Sequence, residues 1–91
     1  MSWCVYLLEC NDDTLYCGIT NNLDRRIETH NAGRGAKYTR IRVPVKLVYS
    51  EHADDRSFAS KREYQIKKLT RSKKLELISR KVVPNGKGPD C

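Results

Sequence analysis

Two tyrosines, an arginine, a histidine and one isolated carboxylate are the side chains whose types and spacing suit chemistry. Tyr6 lies in the apolar run WCVYLLE, residues 3–9, and Tyr16 in LYCGI, residues 15–19. Both runs are rich in aromatic, β-branched and aliphatic residues, so both read as strands. Asn11-Asp12-Asp13-Thr14 between them is a polar turn cluster, which makes the pair a hairpin. Alternation sends Cys4, Tyr6 and Leu8 to one face and puts Tyr16 with Gly18 on one face of the second strand, making the tyrosines candidate cross-strand neighbours. Such a pair either packs as core or presents two hydroxyls at a wet surface. Downstream, Arg26 and His30 are four apart and share one side of a helix, while Arg25 sits about 100° around it. Glu63 is surrounded by Lys61, Arg62, Lys67 and Lys68. A lone carboxylate there is either the helix ion-pair partner of Lys67 or the oxygen ligand of one hard divalent cation near phosphates.

These residues need elements to hold them, and 91 residues provide one small domain. Thr20-Asn21-Asn22 offers N-cap residues for a helix over 23–31, with Leu23 and Ile27 on its buried side and Asp24 in its first turn. Gly33 reads as its left-handed cap. Residues 34–43 read as a basic loop closed by Pro44. Residues 45–50 alternate as a third strand, with Val45, Leu47 and Tyr49 on one face. Asp54-Asp55 caps a helix over 57–69, whose stripe is Phe58, Ala59, Ile66 and Leu69, with Arg62 on that side. Ser72 reads as the cap of a shorter third helix carrying Leu75, Leu77 and Ile78. The order is β-β-α-β-α-α: an α+β domain over residues 1–81 with a small three-stranded sheet flanked by helices. Residues 82–91 read as a disordered tail.

Composition narrows the class. The chain is 38% hydrophobic and 32% charged, with a mean hydropathy of −0.70, which suits a globular domain. No run approaches the ~20 apolar residues of a membrane span. No basic region followed by an apolar one opens the chain, so no export signal is expected. Cys4, Cys10, Cys17 and Cys91 form no C-x-x-C pair, and the first three read as buried, reduced core residues of a cytoplasmic protein. The formal net charge is +7. Residues 1–33 are net −3, whereas 34–49 hold five bases and no acid and 61–81 are net +7. Two separate basic stretches suit a polyanion, because each neutralised phosphate releases counterions. A merely solubilising basic surface fits the charge equally well.

The motifs taken together resemble the GIY-YIG endonuclease superfamily, most closely its small single-domain bacterial members. The half-motifs stand as Cys4-Val5-Tyr6 and Tyr16-Cys17-Gly18, with nine residues between the tyrosines. The stretch from Thr20 to Asn31 resembles the family's arginine helix. Gly35-Ala36-Lys37-Tyr38-Thr39-Arg40 and Pro44 to Tyr49 resemble the loop and third strand, and Arg62 to Leu69 the glutamate helix. Cys4, Val5 and Cys17 replace the family's Gly, Ile and Ile; they are small or apolar and keep a strand interior.

The resemblance implies metal-dependent hydrolysis of DNA phosphodiester bonds. Tyr6 would contact the nucleophilic water or the scissile phosphate, with a general-base role, and Tyr16 would help position water and phosphate. Arg26 would hold the phosphate and stabilise transition-state charge, and Glu63 would ligate one Mg²⁺ or Mn²⁺ ion. His30 and Tyr38 match accessory positions. Arg25, Arg34, Lys37, Arg40, Arg42, Lys67 and Lys68 are the candidate nucleic-acid contacts, and a protein partner is compatible with the absence of a DNA-reading domain. Tyr38 among bases suits stacking on an unpaired base, which favours single-stranded or branched DNA. A non-catalytic basic nucleic-acid-binding module on the same fold is the alternative; it would not need Glu63.

Overall fold

The computed structural model describes residues 2–80, with the backbone alone at Arg80. The tail expected over 82–91, including Cys91, lies outside the described residues. Seven elements follow in order: β1 (Trp3–Glu9), β2 (Leu15–Thr20), α1 (Leu23–Asn31), α2 (Lys37–Arg40), β3 (Lys46–Ala53), α3 (Arg56–Lys67) and α4 (Arg71–Arg80). The sheet is antiparallel with order β2-β1-β3, so β1 is central. Among the described residues no helix is long and apolar enough to cross a membrane.

The central position of β1 explains its continuous apolar run. Cys4 to Leu8 are all fully buried, because both faces of the strand are covered. Val5 and Leu7 join Cys17, Tyr49, Ala53, Ala59 and Ile66 in one core cluster, with Leu77 and Ile78 packed against it; this is the α3–α4 side. Cys4, Tyr6 and Leu8 join Cys10, Leu23 and Val45 in the other, with Ile27 against it; this is the α1 side. Full burial of each Leu or Val contributes about 1.5–3 kcal/mol. Cys4, Cys10 and Cys17 are buried thiols.

Local chemistry sets the helix ends. The Asn22 side chain accepts from Arg25 N at 3.2 Å, Thr20 Oγ1 accepts from Asn22 N at 3.1 Å, and Gly33 past the end has φ 78°. Asn31 clamps α1 to the chain entering β3: its Oδ1 accepts from Val45 N at 2.7 Å and its Nδ2 donates to Val45 O at 3.3 Å. Asp55 caps α3 by accepting from Phe58 N at 2.8 Å.

Several expectations change. Residues 34–43 contain the short helix α2. β3 runs to Ala53, and a bulge opposite Leu7 and Leu8 breaks its alternation: Leu7 pairs with Tyr49 and Leu8 with Leu47, leaving Val48 as the extra residue. Leu47 and Val45 therefore serve the α1 side while Tyr49 serves the α3 side. α3 starts and ends earlier than expected, and Phe58 is 58% exposed rather than core. Thr70, not Ser72, caps α4, its Oγ1 accepting from Lys73 N at 3.2 Å.

Candidate active site

Tyr6 leaves the middle of β1 toward α1 and is completely buried. The tyrosines are diagonal rather than directly opposed, since Tyr6 pairs with Gly18 and Leu8 with Tyr16. Their ring centroids are 6.4 Å apart. Of the two readings of the pair, Tyr6 follows the core one, fully buried, while Tyr16 is partly exposed. Gly18 makes this arrangement possible. A Cβ there would lie 2.6 Å from the Tyr6 hydroxyl, 2.7 Å from its Cζ and 3.2 Å from Tyr16 Cε2.

The phenol meets His30 of α1, also completely buried. Tyr6 OH and His30 Nε2 are 3.0 Å apart, and His30 Nδ1 lies 2.8 Å from Thr39 Oγ1 of α2. The Thr39 hydroxyl donates to Ala36 O at 2.9 Å. Tyr16 packs edge-on to the imidazole at 5.3 Å. Gly35 brings the loop against the same ring, since a Cβ there would stand 2.3 Å from His30 Nδ1.

Arg26, one turn before His30, is half-buried. Its Nε is buried and has no hydrogen-bond partner among the described residues. It lines an open cleft of about 260 Å³ with Thr20, Asn21, Asn22, Arg25 and Thr29. The electrostatics follow from this crowding. Burial pushes the Tyr6 phenol up to about 12 despite the neighbouring Arg26 guanidinium. Burial, then the Arg26 charge, holds the His30 imidazole below its ordinary value. His30 is therefore neutral at neutral pH.

Tyr38 is 39% exposed and touches two groups. One side of its ring stacks on Tyr16 at 6.0 Å, and the Arg42 guanidinium covers it at 4.1 Å. Arg42 is held there by Tyr38 O at 2.7 Å and by Asp12 Oδ2 at 2.8 Å. Arg25 and Arg34 are exposed and line a second cleft along α1 with Thr29 and Asn31. Lys37 and Arg40 are exposed on α2. Lys67 is 3.6 Å from Glu63, and the Lys68 ammonium sits 4.4 Å over the Tyr64 ring.

The structure thus gathers Tyr6, Tyr16, Arg26, His30 and Tyr38. Glu63 belongs to α3 and stands near Cys17 of β2, whose thiol is pushed up to about 12 by burial and then by the Glu63 charge. Among the described residues no three His, Cys, Asp or Glu side chains cluster to hold a metal. A single carboxylate fits Mg²⁺, which binds through one or two carboxylates and takes its other oxygens from phosphate and water. Sequence reasoning missed Thr39, Gly35 and the Arg42–Asp12 pair. Gly35 and Thr39 stood inside the family-like loop, but nothing in their spacing pointed at His30.

The chain matches the family profile described as the GIY-YIG catalytic domain over residues 2–76. It is 60% identical over 79 residues to a UPF0213 protein of Clostridium perfringens, covering 87% of this chain and 85% of that one. A UPF0213 protein of Natronomonas pharaonis is 53% identical over 75 residues, covering 82% and 88%. The solution NMR structure of a UPF0213 protein from Bacillus halodurans superposes with a TM-score of 0.59 at 45% identity, covering 92% of this chain and 89% of that one. With the tyrosine hairpin, the arginine helix and the glutamate helix in their order, the chain belongs to the GIY-YIG family, among its small UPF0213 members.

Proposed function

We propose that this protein is a divalent-metal-dependent DNA endonuclease whose reacting centre is the Tyr6–His30–Arg26 cluster. The observation that carries this reading is the unpartnered, buried Arg26 Nε at an open cleft, beside a phenol hydrogen-bonded to a neutral imidazole. A buried polar atom left unpaired costs about 1–3 kcal/mol. A phosphate in the cleft satisfies it with a charge-assisted bond. Three buried thiols suit a reducing compartment such as the cytoplasm.

Arg26 binds a non-bridging phosphate oxygen and stabilises the charge that builds there in the transition state. Tyr16, half-exposed at the cluster's edge, orients the phosphate. Water brought to the phenol with the substrate gives a proton to the Tyr6 oxygen as Tyr6 passes its own to His30 Nε2. The water oxygen bonds to phosphorus, the phosphorus–oxygen bond to the leaving strand breaks, and that oxygen takes a proton from solvent. With the phenol at about 12, a free phenolate is scarce at neutral pH. Transfer in step with His30 avoids forming one. Glu63 is the residue that would hold one Mg²⁺ or Mn²⁺, which when bound supplies Lewis-acid charge to the phosphate.

The test is cleavage of labelled single-stranded, duplex and branched DNA by wild type and Glu63→Ala, with Mg²⁺, Mn²⁺ or EDTA. Metal-dependent cutting that the substitution abolishes supports the reading. Salt-sensitive binding without cutting favours a basic binding module. The three DNA forms also read a preference for unpaired DNA directly, which Tyr38, 39% exposed beside Arg42, would supply by stacking on a base.

A further inference from the structure

We propose that Thr39 is a positioning residue that locks His30 in the tautomer protonated at Nδ1, leaving Nε2 as the acceptor for the Tyr6 proton. The proposal rests on the nuclease reading for its catalytic consequence, but the tautomer stands on hydrogen-bond arithmetic. A threonine hydroxyl has one proton. Thr39 Oγ1 lies 2.9 Å from Ala36 O and 2.8 Å from His30 Nδ1. A backbone carbonyl only accepts, so the hydroxyl proton goes to Ala36 O. Thr39 must then accept from Nδ1–H. The neutral ring has no second proton, so Nε2 is bare and the contact at 3.0 Å is a hydrogen bond donated by Tyr6 OH. The direction of the whole chain, Tyr6 to His30 to Thr39 to Ala36, follows from that carbonyl.

The surroundings hold this chain rigid. Tyr6, His30 and Thr39 are each completely buried in the free protein, so bulk water does not compete for the His30–Thr39 bond. Gly35 lets the backbone lie against the imidazole. The groups facing the ring are Tyr6 from β1, Tyr16 from β2, Arg26 from α1 and Thr39 from α2. None is a carboxylate, so Thr39 supplies neutral orientation where other imidazole bases are held by an acid. It also makes α2 part of the reacting centre, so the basic segment that carries Lys37 and Arg40 is tied to the base.

The experiment is ¹⁵N NMR of the His30 ring, with single-turnover DNA cleavage, in wild type, Thr39→Val and Thr39→Ser. Wild type should show the Nδ1–H form. Thr39→Val keeps the shape, loses the acceptor and should populate Nε2–H, with kcat down about 10–100-fold and KM little changed. Thr39→Ser should restore both. An Nε2–H ring in wild type, or a Thr39→Val protein with unchanged tautomer and rate, overturns the proposal. A wild type that shows Nδ1–H yet cuts no DNA supports the tautomer assignment and counts against the nuclease reading instead.

Discussion

Arg26 is held in a state that favours a ligand over the free protein. Its side chain is half-buried while its Nε lacks a partner among the described residues. Arg26→Met keeps the aliphatic packing and removes the unpaired group. It should raise stability by about 1 kcal/mol, or about 4–8 °C in Tm for a domain of this size, while abolishing cleavage. Thermal melts and a cleavage assay on the same sample check both halves. His30 carries the opposite balance. Its imidazole is held below the ordinary value of 6.5, so the unfolded chain takes up a proton at higher pH than the folded one. Stability then falls as pH drops through about 6.5 toward the lowered folded value. Urea melts between pH 7.5 and 5 should show a steeper loss for wild type than for His30→Gln. The residue types of this centre were legible because Tyr6, Tyr16, Arg26 and His30 lie in short, strongly patterned elements. Thr39 was not, because its role exists only after a loop folds back nine residues onto α1.

At the scale of elements, the Tyr6–His30 contact joins the hairpin to α1, and the close approach at Gly18 seats the Tyr6 ring for it. Gly18→Ala would place a methyl 2.6 Å from the Tyr6 hydroxyl and 2.7 Å from Cζ. We expect a loss of about 1–3 kcal/mol from overpacking. The Tyr6 ring should shift away from His30, read by denaturant melts and by the ring's NMR signals. Local patterns set β1, β2 and α1 in the sequence: a β-rich run, a polar turn, an N-cap and a left-handed glycine. β3 resisted because its bulge at Val48 depends on the pairing with β1 and leaves no mark in the alternation. The α3 stripe read Phe58 as core with Ala59, yet the helix buries Ala59 fully and leaves its neighbour Phe58 58% exposed. Glu63 on α3 was legible as a lone carboxylate. Both readings of it survive in the geometry, since Lys67 stands 3.6 Å away and, among the described residues, no group of three His, Cys, Asp or Glu side chains forms a metal cluster.

Across the whole molecule, the +7 charge is not equally available. Arg42 is engaged by Asp12 and Tyr38, Lys67 by Glu63, and Arg62 by Glu51 at 2.5 Å. Arg25 and Arg34 stay exposed along α1, beside the cleft that Arg26 lines. Replacing both with Ala should weaken duplex binding evenly across sequences and lower the slope of log K against log salt by about 2. Arg42→Ala should instead act on the loop, loosening Tyr38 with a smaller change in slope. Binding titrations at several salt concentrations separate the two.

The central claim is that the Tyr6–His30–Arg26 cluster breaks phosphodiester bonds. It is tested most directly by single-turnover cleavage rates of wild type, Tyr6→Phe and Arg26→Lys at saturating DNA and Mg²⁺. Phenylalanine removes the proton relay without changing the ring, and lysine keeps the charge without the fork. We predict that wild type cuts and that each variant falls about 100-fold or more while holding DNA within a few-fold of wild type. Cleavage by either variant at the wild-type rate, or a wild type that binds every DNA form and cuts none, would contradict it.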